Sequence, residues 1–155
     1  MGVTDRPAGT GEVRITHVFD APREAVFAAW TDPEQVAKWW APDGFDIPPE
    51  SVTIEPRAGG RFHLKMLDSA GGAEFPYRAE IVEISHGELI VLKAEAIPEA
   101  GIEETVTRIV FDADGARTRM TVISGPYTDE MRQNAEAGWV DLMAGLERSL
   151  AARGA

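Results

Sequence analysis

From Thr128 towards the C terminus runs one uninterrupted apolar stripe, and it limits what this chain can fold into. Met131, Ala135, Trp139, Leu142, Met143, Leu146 and Leu150 follow at steps of three and four, the repeat of one face of an α-helix. Thr128 is the expected N-cap, and Asp129 and Glu130 fall in the first turn, where negative charge favours the helix dipole. A helix of about 24 residues is about 36 Å long at 1.5 Å per residue. Such a rod needs a broad apolar partner.

That partner lies earlier in the chain. From Val52 to Ile123 the period falls to two. Val52 and Ile54 come first, and Gly59-Gly60 marks a turn or bulge. Phe62, Leu64 and Met66 then alternate with Arg61, His63 and Lys65. Asp68 to Gly72 reads as a hairpin connection, His86-Gly87 as a turn, and Pro98 to Gly101 as a break. Asp112-Ala113-Asp114-Gly115 is the strongest hairpin signal, because Asp-Gly tolerates positive φ. Short loops between neighbours predict an antiparallel meander, which Gly125-Pro126 ends.

Ahead of the meander, Val13, Ile15, His17 and Phe19 alternate with polar neighbours as a first strand. Asp20-Ala21-Pro22 then opens a short helix, with Asp20 or Ala21 expected to cap and Pro22 to occupy the first turn. Thr31-Asp32-Pro33 repeats the device before Val36, Trp39 and Trp40. The expected fold is α+β: two short helices after the first strand, and a curved antiparallel sheet of about six to seven strands around the long C-terminal helix. A curved sheet touches a straight rod unevenly, so a cavity is expected between them, opening towards the short helices. Residues 1–12 read as a flexible tail and 13–153 as one domain, a size suited to 155 residues.

Composition excludes several functions. The chain carries 15 Lys and Arg against 26 Asp and Glu, a formal charge of -11. That balance opposes binding to nucleic acid and to anionic membranes, both of which require clustered cations. With no cysteine, thiolate metal sites and thiol nucleophiles are ruled out. His17, His63 and His86 stand far apart without a partner at i+4, so no metal is expected. No phosphate loop, nucleophile elbow or cofactor motif is visible, and no cofactor is expected. The start has no secretory h-region, and the expected location is the cytoplasm.

Asp20-Ala21-Pro22, the run Val26-Phe27-Ala28-Ala29-Trp30-Thr31-Asp32-Pro33-Glu34, Trp39-Trp40-Ala41-Pro42, Gly59-Gly60-Arg61-Phe62 and Ala137-Gly138-Trp139 with Leu142 and Leu146 resemble a known family. It is the SRPBCC superfamily, the helix-grip fold of START domains and birch-pollen-allergen-like proteins, in the bacterial branch related to the activator of the heat-shock-protein-90 ATPase. The likeness extends over residues 13 to 150. It implies a sheet gripping the last helix around a cavity, in a superfamily of lipid and hormone carriers, polyketide cyclases and co-chaperone domains. The position often held by Arg on the family's first strand is His17 here.

The expected cavity lining follows from these patterns. Trp39, Trp40 and Trp139 supply large rings, which also suit a core; adjacent on a helix, Trp39 and Trp40 point about 100° apart and cannot share one role. Phe62, Leu64 and Met66 share a face, as do Tyr77 with Ala79 and Met120 with Val122. Leu142, Met143 and Leu146 approach from the long helix, with the methionines giving an adaptable lining or filling core gaps. His17 is the polar residue of most interest, as a ligand contact, an acid/base or a structural hydrogen-bonding group. The expected function is binding of a small hydrophobic or amphipathic molecule. The alternatives are a cyclase or dehydratase-type enzyme using His17 or Tyr77, and a chaperone accessory domain. Oligomeric state stays open, a homodimer included.

Overall fold

The computed structural model describes residues 11–40, 45–96 and 104–154. Strand β1 (Val13–Phe19) leads into helices α1 (Arg23–Thr31) and α2 (Pro33–Trp39). Strands β2 (Phe45–Asp46) and β3 (Thr53–Ile54) flank a 3-10 turn at Pro49–Ser51. The meander follows as β4 (Gly60–Asp68), β5 (Glu74–Ser85), β6 (Leu89–Ala94), β7 (Thr105–Asp114) and β8 (Arg117–Gly125), and helix α3 spans Asp129–Gly154. Most of the expected tail, residues 1–10, lies outside the described residues, as do Ala41-Pro42 of the Trp-Trp-Ala-Pro motif and the break at Pro98 to Gly101. Among the described residues no helix is long and apolar enough to cross a membrane.

The sheet is antiparallel and curved, with strand order β1-β8-β7-β6-β5-β4-β2 and β3 also paired to β4. The first strand therefore lies beside the last, and α1 and α2 carry the chain from that edge across to β4. Among the described residues it has eight strands, more than expected because β2 and β3 are two residues each, too short to impose a period on the sequence.

Local signals account for the element ends. Asp32 caps α2 by accepting from the Glu34 N–H at 3.1 Å, with Pro33 in the first turn. Thr128 Oγ1 accepts from the Met131 N–H at 3.2 Å at the start of α3. At α1 the expectation shifts by one residue: Pro22 is itself the N-cap, and its carbonyl accepts from Ala25 and Val26. β7 and β8 run on to Asp114 and Arg117, leaving a two-residue turn in which Gly115 has φ 64°. The Gly11 carbonyl accepts from the Tyr127 N–H at 2.6 Å.

Period-two burial puts Phe62 and Leu64, Ala79 and Ile81, Ile90 and Leu92, Ile109 and Phe111, and Met120 and Val122 into one core. Trp30 of α1 is completely buried there, and its indole N–H points at Met120 Sδ, 3.2 Å away. The α3 backbone lies nearest β1, α1 and α2. Leu146 of its C-terminal half is fully buried.

Candidate functional site

A cavity of about 260 Å³ lies between the N-terminal half of α3 and strands β4 to β7. Helix α3 contributes Met131, Asn134, Ala135, Trp139 and Leu142. The sheet contributes Met66, Tyr77, Ala94, Thr105 and Thr107, and Trp40 and Tyr127 close the ends of the wall. Exposed Glu95 and Asn134 mark the mouth. Most of this surface is apolar, with a few polar groups converging on it, the composition of small-molecule sites.

The aromatic part of the wall is a cluster of tilted and edge-on rings. Trp40 lies 5.1 Å from Tyr77, 5.4 Å from Phe62 and 6.1 Å from Trp139, centroid to centroid. Trp30 stands behind it, 5.6 Å from Trp40 and 6.4 Å from Trp139. The four indoles divide by their N–H groups. Trp30 uses its own on Met120, and Trp39 donates to the Ala29 carbonyl at 2.8 Å. Trp40 and Trp139 make no indole hydrogen bond among the described residues. Both line the cavity.

The polar part is a line of hydroxyls. Thr107 and Ser124 are partners in the β7–β8 register, and their side-chain oxygens lie 2.8 Å apart. Ser124 Oγ lies 2.8 Å from the Tyr127 hydroxyl. Burial pushes the Tyr77 phenol pKa well above its ordinary value, and the neighbouring Tyr127 adds to the shift. Near neutral pH Tyr77 therefore remains a protonated donor.

Of the residues expected to line a cavity, Trp40, Met66, Tyr77, Trp139 and Leu142 meet on its wall. Trp39, Phe62, Leu64, Met120, Met143 and Leu146 belong to the buried core instead. Their side chains are buried there. His17 sits elsewhere. It packs 4.6 Å from Phe19, and its Nε2 lies 3.1 Å from Glu147 Oε1 on the C-terminal half of α3, outside the cavity lining. Thr105, Thr107, Met131 and Asn134 were not expected there. The available signal was threonine at the inward positions of β7, two apart in a strand whose next inward residues are Ile109 and Phe111.

Among the described residues no three or more His, Asp and Glu side chains group as a metal site. Ion pairs such as Arg61 with Glu55 and Lys93 with Glu104, each at 3.9 Å, link strand residues to residues just beyond the strand ends.

An antiparallel sheet gripping a C-terminal helix, with a small apolar cavity between them, defines the helix-grip class. The family model for "Activator of Hsp90 ATPase homolog 1-like protein" matches residues 20–151, and the chain belongs to that family, within the SRPBCC superfamily. Solved structures agree in fold. A Chromobacterium violaceum protein is 24% identical, with 90% of this chain and 96% of that one covered and a TM-score of 0.81. The AHSA1-like protein of Aeromonas hydrophila is 18% identical, with 92% and 94% covered and a TM-score of 0.75. CalU16 of Micromonospora echinospora is 17% identical, with 90% and 75% covered and a TM-score of 0.67. No curated protein matches.

Proposed function

We propose that this chain binds one small, mostly apolar molecule in the cavity beneath the N-terminal half of α3. The reading rests on one observation: about 260 Å³ of space walled by Trp40, Trp139, Tyr77 and Leu142, with hydroxyls converging at one side. A cavity of roughly 150 Å³ is enough for benzene, so one or two rings suit this one. The family and fold are those of ligand-binding domains in general. The working unit is the domain from 13 to 153, placed in the cytoplasm, where a chain without cysteine loses nothing to the reducing environment.

The catalytic alternative has less to support it. His17 faces Glu147 away from the cavity, and a Tyr77 phenol held protonated is no base near neutral pH. A chaperone partner rests on the family description alone.

Native mass spectrometry of freshly purified protein, followed by thermal shift against small cyclic compounds, tests the reading. A ligand at a hundredfold excess over its Kd adds about 2.7 kcal/mol, roughly 5–10 °C in Tm for a chain of this size. A protein that retains nothing, and that no compound of this size stabilises, would overturn it.

A further inference from the structure

We propose that the occupant is uncharged and docks a carbonyl or hydroxyl oxygen against the Thr107–Ser124–Tyr127 hydroxyls, its rings lying against Trp40 and Trp139. This rests on the cavity reading above and narrows it to a chemical class.

Three hydroxyls joined by two bonds of 2.8 Å spend two of their three O–H groups on each other. One is left over. If both ends donated to Ser124, the O–H of that buried serine would be left without an acceptor; in either head-to-tail orientation the unspent O–H belongs to an end hydroxyl, Thr107 or Tyr127, and both line the cavity. A donor facing an apolar space needs an acceptor, which is water when the cavity is empty and a ligand oxygen when it is full. The Tyr77 phenol, on the same wall and kept protonated by burial, offers a second hydrogen.

Among the described residues no Lys, Arg or His lines the cavity, and its one carboxylate is Glu95 at the mouth. An anionic ligand would leave water without meeting a countercharge, at a cost of several kcal/mol. It would also approach a molecule of formal charge -11. A fatty acid or aromatic carboxylate is therefore disfavoured even though the space is apolar, whereas a neutral ketone or alcohol of the same ring size finds a donor and no repulsion.

Isothermal titration of the whole protein at neutral pH with three probes on one ring separates the possibilities. The probes are 2-acetylnaphthalene, the 2-naphthoate anion and 2-ethylnaphthalene. The expected result is that the ketone binds at least ~10-fold tighter than naphthoate. Tyr127→Phe, or Thr107→Val if the first variant fails to fold, should weaken the ketone by ~5–10-fold while leaving 2-ethylnaphthalene unchanged. Naphthoate binding as tightly as the ketone would overturn the inference and leave the cavity reading standing. A ketone that loses nothing in both variants would overturn the hydroxyl docking. Failure of all three probes to bind would overturn the cavity reading, and this inference with it.

Discussion

The two halves of α3 carry the same apolar stripe and meet different partners. In the C-terminal half, Met143 and Leu146 are buried in the core, and Gly145 passes so close to α2 that an added Cβ would lie 2.9 Å from the Trp39 carbonyl oxygen. In the N-terminal half, Met131 and Ala135 look across the cavity at the sheet, and a Cβ added at Gly138 meets nothing within 4 Å. At about 100° per residue, Gly138 lies on the helix between Asn134 and Leu142, both of which line the cavity. Gly145 falls on nearly the same line one heptad later. One glycine makes room for backbone and the other faces open space. The difference teaches that an amphipathic face states only that a surface is inward. How full the space beneath it is depends on what the rest of the chain delivers there: the end of α2 presses its backbone on Gly145, whereas Met131 and Ala135 look onto the cavity.

Truncations should separate the halves most widely. Leu146→Ala removes a fully buried side chain from the closed half and is expected to cost about 2–5 kcal/mol. Met131→Ala, at the cavity, should cost under about 1 kcal/mol, because no new void is opened in packed material. Urea denaturation of both variants gives the comparison, and equal losses would break it.

The glycines sharpen the same contrast with opposite signs. Gly138→Ala is expected to stabilise by about 0.5–1 kcal/mol, the ordinary helix preference for alanine. Gly145→Ala gains the same preference but pushes against the Trp39 carbonyl, and overpacking of about 1–3 kcal/mol should leave a net loss. Both stability changes can be read from one set of melts.

The smallest effect lies on the outer face of the sheet and serves as a control. Burial lowers the His63 pKa, the Arg61 and Arg78 charges lower it further, and Glu95 and Glu55 oppose them. The folded state therefore disfavours the protonated ring. His63 costs no stability above its ordinary pKa of about 6.5 and an increasing amount as pH falls below it. His63→Gln should flatten the fall in Tm on acidification from pH 7, and cavity ligands should leave that slope unchanged.

Much of this architecture was legible because it is local. The period of two in Phe62, Leu64 and Met66, the Asp32-Pro33 and Thr128 caps, and the stripe on α3 each depend on neighbours a few residues away. The polar wall was not legible, because it depends on register. Thr107 meets Ser124 only once β7 pairs with β8, and from sequence a threonine in a strand reads simply as a good strand former. The corner after Gly125-Pro126 aims the Tyr127 hydroxyl at Ser124, a contact that no local pattern announces. His17 was expected at the cavity, but its Nε2 lies 3.1 Å from Glu147 Oε1, a partner 130 residues away and equally unannounced by any local pattern.

The division of the indoles gives the most direct measurement. In a ¹H–¹⁵N spectrum of the intact protein, assigned with single Trp→Phe variants, 2-acetylnaphthalene should shift the indole N–H signals of Trp40 and Trp139 saturably. Those of Trp30 and Trp39, committed to Met120 and Ala29, should stay in place. Shifts in Trp30 and Trp39 alone, or none in any of the four while binding is seen by calorimetry, would contradict the account by putting the ligand somewhere other than beneath the first half of α3.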